Sequence, residues 1–261
     1  MADDSPNDPL PHEMNWREFT ARHPDFVEAI NLGVVAIAEL ARDVPPTTVD
    51  GAVALLTGSI AENIIDVMFL FENERRDGAV RLLRTPFEKH LYADYLTKHP
   101  EKAEAFSLFW AVQSKQLLDG LKAHYGTEIS EAGAEGMRKL LEIAKEKIEF
   151  NKCEACGSRL PRMWTKVTPE VMAKDAAMEE TYFFAYRYAT LLIHPTVMGI
   201  DHQLHNPPQL PNMLLHVRTI VMRTVVLQWE WFRKSKTVTG TAAVALNALS
   251  RAFAEPTTPL R

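Results

Sequence analysis

The sequence predicts an all-α fold, a single-domain bundle of about eight helices, on three observations. Apolar residues recur at helical spacing over long segments, and prolines and glycines divide those segments from one another. Alternating, β-branched runs that would read as strands are nearly absent. The chain shows neither a repeat nor a sustained heptad, which argues against solenoids and coiled coils.

The elements follow in order. Residues 1–22 begin MADDSPNDPLPHE, acidic and proline-rich, with neither a basic nor an apolar stretch. They predict a disordered lead-in rather than an export signal. Pro24, in a first turn, opens a helix through DFVEAINLGVVAIAELARDV. After Val44-Pro45-Pro46 a longer helix spans about Val49 to Asn73, and after Asp77-Gly78 a third runs from about Ala79 to Lys98. Within it, Thr85-Pro86-Phe87-Glu88 has the form of a capping box with proline at its first position, so a helix could begin at Pro86. The apolar pattern of Val80, Leu82, Leu83, Phe87 and Leu91 crosses Pro86 unbroken, which favours one helix kinked there.

His99-Pro100 opens a fourth helix that Gly126 closes, and Ser130 caps a charged fifth reaching about Phe150. A cysteine-containing loop at 151–169 follows. Thr168-Pro169 starts a sixth helix that stops at Pro195. A loop from His194 to Pro211 leads into the seventh, and Thr241 to Ala254 forms the eighth. The helical domain therefore covers 23–255, with a tail at 256–261.

Of the 261 residues, 46% are hydrophobic and 24% charged, the balance of a soluble globular protein. A net charge of −5 argues against a general nucleic-acid coat, although a local basic patch survives such an average. The most apolar runs, Leu32 to Ala38 and Val53 to Leu56, fall well short of the roughly 20 residues a bilayer span needs. No membrane partner is expected. Lacking an export signal, the chain is expected in the cytoplasm with its two cysteines reduced.

The most informative stretch is Tyr182 to His194, YFFAYRYATLLIH, with Pro195 directly after it. It reads as a core helix that nevertheless carries Arg187, Thr190 and His194. At about 100° per residue these three fall within roughly 60° of one another, a polar stripe about 10.5 Å long. A histidine in a last helical turn can move protons, and an arginine can grip a phosphate. Together they suit metal-free phosphodiester cleavage, His194 serving a ribose 2′-hydroxyl and Arg187 the charge on phosphorus. The plainer reading pairs a buried Arg187 with a glutamate and makes His194 a cap. From the residues alone it is favoured.

A second set, Arg81, Arg84, Glu88, Tyr92 and Tyr95, shares one face of the third helix. Glu88 is the natural counter-ion for Arg84 or for Arg187, either as a register device or to orient a catalytic histidine. Cys153 and Cys156 make half of a tetrahedral zinc site. The other half would have to come from His202 and His205 or from a second chain, so a free reduced pair is the simpler reading. Arg159, Arg162 and Lys166 around Trp164 have the make-up of a nucleic-acid stacking loop, and equally of a solvated loop with one docked tryptophan.

RLLRTPFEKHLYADYL, followed by YFFAYRYATLLIHPT, resembles domain of unknown function 5677, a bacterial family. Its pattern of an early Arg-x-x-x-Glu helix and a late Tyr, Ser or Thr, His-Pro element falls on Arg84, Glu88, Tyr186, Thr190 and His194. The helical make-up is also similar to the wider HEPN group. That resemblance implies a metal-independent ribonuclease of defence or stress response, with RNA as substrate and a composite site across a homodimer. On it, Arg187 and His194 carry the chemistry, and Arg84, Glu88 and Thr190 support them. Tyr188 departs from the small polar residue that often follows the arginine in those enzymes. Some HEPN members are binding modules, so a non-catalytic protein- or nucleic-acid-binding domain is the alternative.

Overall fold

The computed structural model describes residues 14–42, 44, 48–126, 130–148, 164–193, 209–232 and 240–251. All its regular elements are helical, and no strand occurs among the described residues. The chain divides into two compact units. The first takes residues 1–40, 58–90 and 180–261; the second takes 41–57 and 91–179.

The first unit opens with α1 (Trp16–Arg22), inside the stretch expected to be a disordered lead-in. The reason is local: Asn15 accepts from the Glu18 N–H at 2.9 Å while the Glu18 carboxylate accepts from the Asn15 N–H at 3.2 Å, a capping box. Phe19 is buried edge-on against Phe26 of α2 (Pro24–Leu40), ring centroids 5.1 Å apart. The Glu74 carboxylate accepts from the Trp16 N–H at 2.7 Å and holds the start of α1 down.

α2 buries Phe26, Ile30, Gly33, Val34 and Ile37 on one stripe. It packs on α10 (Leu210–Phe232) and α11 (Gly240–Arg251). The approach is close enough that a Cβ on Gly33 would lie 2.3 Å from Val221 Cγ1, so no larger residue fits without a shift. Gln228 donates to the Ile37 carbonyl at 3.1 Å inside this contact. Arg218 Nε donates to the Leu249 carbonyl at 2.9 Å, satisfying an orphan acceptor in the last turn of α11.

α3 (Thr48–Glu72) enters the first unit at Gly58. It ends in a Schellman closure, with Glu74 at φ 55 and the Arg75 N–H on the Leu70 carbonyl at 2.8 Å. α4 (Arg76–Lys98) belongs to this unit as far as His90 and runs on through Pro86, as the apolar pattern requires. Ile60, Ile64, Val67, Phe71, Leu83 and Phe87 are fully buried.

In the second unit, α5 (Ala103–Tyr125) follows a 3₁₀ turn at Pro100–Lys102 and packs against α6 (Glu131–Lys147) through Ala105, Val112, Ala144 and Ile148. Gly126, at φ 64, closes α5 in the left-handed conformation that glycine adopts without strain. Trp164 is only 5% exposed, ringed edge-on by Tyr92, Tyr95 and Phe106 at 5.2–5.7 Å. It is a core anchor, so it is not available as a stacking platform.

The expected sixth helix is interrupted. α7 (Pro169–Asp175) is capped by Thr168 and ends at Ala177, φ 51. The Met178 N–H reaches the Ala173 carbonyl at 2.8 Å and the Ala177 N–H reaches Lys174 at 3.1 Å, again a Schellman motif. Alanine occupies the position usually marked by glycine, so the sequence carries no stop signal there. The chain resumes as α8 (Glu179–Tyr182), a π-helical segment (Phe183–Tyr188) and α9 (Ala189–Ile193), which belong to the first unit from Glu180 onward.

The expectation that no segment could span a bilayer rests on uninterrupted apolar runs, whereas two helices pass a test of length and composition that buried core helices also pass. α3, with 25 residues, and α10, with 23, are long and apolar enough by length and composition. Much of α10 is committed to the core: Met213, Leu214, Val217, Ile220, Val221 and Val225 are fully buried.

Candidate functional site: a cationic aromatic ladder on a π-helical turn

α4 and the α8–α9 segment run antiparallel, since Phe87 meets Tyr182 at 6.5 Å between ring centroids while Arg84 meets Thr190. Arg84 is the hub. Its Nε donates to Glu88 Oε1 at 2.9 Å, one turn on in the same helix. Its Nη1 donates to Thr190 Oγ1 at 3.1 Å. The guanidinium lies 4.2 Å from the centroid of the Tyr186 ring, in cation–π range. Thr190 in turn donates to the Tyr186 carbonyl at 2.5 Å. The pair is half-buried, with side chains 28% and 27% exposed.

The ladder continues beyond Arg84. Tyr186 stacks on Tyr182, centroids 5.1 Å apart and planes 17° from parallel. Arg187 then stands over the Tyr182 ring at 5.8 Å. The order is therefore Arg84, Tyr186, Tyr182, Arg187: two cations bracketing two stacked phenols.

The π register makes this possible. The Ala189 N–H donates to the Phe184 carbonyl five residues back, the wide-turn bond of a π-helix. With more residues per turn, side chains four apart come nearly into line. Tyr182 falls on Tyr186, and Phe184 on Tyr188 at 5.6 Å and 15°. The second of these pairs faces the interior. Phe184 also stacks on His216 of α10 at 4.5 Å and 14°. His216 is 7% exposed, and burial holds its imidazole below the usual range against an opposing pull from Glu180. Burial, reinforced by Asp77, pushes the Tyr188 phenol up.

The site residues read from the sequence are thus redistributed. Arg84, Glu88 and Thr190 meet, together with Tyr186. Arg187 does not share their contact: it is exposed, and its guanidinium goes to Tyr182. The expected polar stripe assumed 100° per residue, which a π segment does not follow, so Thr190 and Arg187 serve different partners. Glu88 neutralises Arg84 rather than Arg187. On α4, Arg81 is exposed, while Tyr92 and Tyr95 belong to the Trp164 cluster of the second unit.

His194, Cys153, Cys156, His202, His205, Arg159 and Arg162 lie outside the described residues. No group of three metal-ligating side chains occurs among the described residues. Sequence reasoning missed Tyr182 and His216. The signal for Tyr182 was present in YFFAYRY, where aromatics recur at a spacing of four.

Comparison with known families places a match on this region. The model of the Family of unknown function (DUF5677) matches residues 50–209, more than half of the chain. No curated protein matches, and no solved structure matches.

Proposed function

The chain belongs to the family of unknown function DUF5677, and we propose that it is a metal-independent, HEPN-like ribonuclease whose site is the Arg84–Tyr186–Tyr182–Arg187 ladder. The observation that carries this reading is the ladder itself. It combines paired aromatic faces and two guanidinium groups, partly open to solvent, on a π-helical turn of the kind that is frequent at functional sites. Stacked aromatics and cations are what an unstacked RNA strand needs from a protein.

In the reaction His194, the residue after α9, takes the proton from a ribose 2′-hydroxyl. The 2′-oxygen attacks phosphorus, and the bond to the 5′-oxygen breaks. That oxygen leaves as it takes a proton from solvent, a cyclic phosphate remains, and His194 gives its own proton back to solvent. Arg187 stabilises the charge that builds on the phosphoryl oxygens. Arg84 is a positioning residue: held by Glu88, it anchors Thr190 and Tyr186, two points on the segment that leads to His194. A homodimer, a cytoplasmic setting away from membranes and a role in defence or stress belong to the same proposal.

The test is cleavage of single-stranded RNA by the full chain in excess EDTA. His194→Ala abolishes cleavage with the circular dichroism spectrum unchanged, and Arg187→Ala lowers kcat about 100-fold or more. A wild type that cuts no RNA, or cuts only with added metal, overturns the reading. One observation favours a second reading, a non-catalytic binding module. Glu88, Thr190 and Tyr186 engage Arg84 as closely as a register device would. RNA binding without cleavage would establish it. Zinc at Cys153 and Cys156 is settled by metal analysis of untagged protein, where less than about half an equivalent per chain excludes even a shared ion.

A further inference from the structure

We propose that the outer face of α3, from Glu62 to Glu72, is a docking surface for a partner protein, which lays a basic amphipathic helix on it. None of its residues belongs to the ladder, so cleavage of RNA, or its absence, does not bear on this face.

α3 is a regular α-helix, and its residues turn by about 100° each. Ile60, Ile64, Val67 and Phe71 point inward and are fully buried. Glu62, Ile65, Asp66, Phe69 and Glu72 share the opposite face within an arc of about 120°, and all of them are exposed. Ile65 and Phe69, 55% and 62% exposed, lie one turn apart and make a single apolar step. The three carboxylates rim it.

Charge names the occupant. α3 contains Asp50, Glu62, Asp66 and Glu72, and no lysine or arginine in its 25 residues. On the packed side, Lys89 of α4 lies near Glu62 but gives its hydrogen bond to Asn63, at 2.7 Å. Asp66 and Glu72 enter no salt bridge among the described residues. A second copy using the same face would set carboxylates against carboxylates. An RNA backbone and an anionic lipid surface are repelled by the same groups. A helix with an apolar stripe flanked by Lys or Arg satisfies both features. Its apolar residues cover Ile65 and Phe69, and its cations reach Glu62, Asp66 and Glu72.

The experiment titrates the full chain with a fluorescein-labelled helical peptide that has leucines on one stripe and lysines beside it. A counterpart carries glutamate at every lysine. Wild type is expected to bind the lysine peptide and not the glutamate one. Phe69→Ser, an exposed exchange, should weaken binding about tenfold or more at unchanged melting temperature. Glu62→Lys with Asp66→Lys should reverse the preference, so that the glutamate peptide binds instead. Asp25→Lys with Glu28→Lys, an exposed acidic pair on α2, should leave both titrations as in wild type. If Phe69→Ser binds the lysine peptide as wild type does, or the α2 exchange acts as strongly as the α3 exchange, net charge alone holds the peptide and the assignment falls. It falls too if wild type binds neither peptide. Phe69-dependent binding to phosphatidylcholine vesicles would give the face to a membrane, and a wild-type dimer that Phe69→Ser dissolves would give it to a second copy. Either result overturns the proposal.

Discussion

The π segment has two sides, built from the same parts with opposite outcomes. On each, an aromatic pair four residues apart stacks nearly parallel and meets a basic residue on a neighbouring helix: Tyr182–Tyr186 with Arg84 of α4, Phe184–Tyr188 with His216 of α10. On the α10 side burial is nearly complete at His216, which keeps its imidazole neutral more readily than water would. On the α4 side the basic group is an arginine, which cannot shed its charge and is balanced by Glu88. One side anchors the segment and the other presents charge at the surface. The same stacking geometry thus serves two settings, and what differs is the group that closes the stack.

The comparison is broken most severely from the interior. Phe184→Ala removes the ring between Tyr188 and His216 and leaves a gap. Destabilisation of about 2–4 kcal/mol is expected, read from the denaturant midpoint, with loss of the Tyr182–Tyr186 stack as the register relaxes. Arg84→Met comes next. It breaks the hydrogen bonds to Glu88 and Thr190 and the contact with Tyr186, for about 1–2 kcal/mol, because the group is partly solvated. A double-mutant cycle with Glu88→Gln assigns to the ion pair only part of that loss. If Phe184→Ala costs less than Arg84→Met, the interior stack is not the anchor.

How much of this was legible depends on which physical signal each residue leaves. The helices announced themselves through apolar spacing, and Arg84 with Glu88 through a simple offset of four. The apolar pattern across Pro86 was a sound guide to an unbroken α4. What failed was local. Ala177 and Glu74 adopt left-handed conformations without the glycine that usually signals them, so the break after α7 left no mark. The Asn15–Glu18 box was readable but lay beside an acidic, proline-rich stretch that dominated its composition. The π segment left no mark either, and a fixed 100° per residue does not describe it.

A smaller effect distinguishes the two sides by pH. Burial lowers the His216 pKa, so the unfolded chain binds the proton more readily than the folded one. The stability tied to this histidine is complete above the unfolded value of about 6.5 and is lost as pH falls below it. The melting temperature of wild type should therefore drop between about pH 7.5 and 5.5 more than that of His216→Phe, which keeps the stack without the titration. Arg84 has no proton to exchange in this range, so Arg84→Met should lower the whole curve without changing its shape. Parallel curves for wild type and His216→Phe would show that the interior side does not titrate.

Arg187→Ala should have the least effect on stability, within about 0.5 kcal/mol, because the side chain is exposed and its guanidinium stands 5.8 Å from the Tyr182 ring. Its value lies in the contrast with Arg84. Both arginines face the same pair of phenols, Arg84 through Tyr186 with Glu88 and Thr190 beside it, Arg187 over Tyr182. If the ladder is a site, the residue that contributes least to folding should contribute most to holding a phosphate. Binding of single-stranded RNA should then fall with Arg187→Ala at unchanged melting temperature, and the salt dependence of binding should become shallower by about one phosphate contact. A loss of binding with Arg84→Met that merely follows its loss of stability would assign Arg84 to structure. Equal losses from both substitutions at equal stability would instead put both guanidinium groups on the strand.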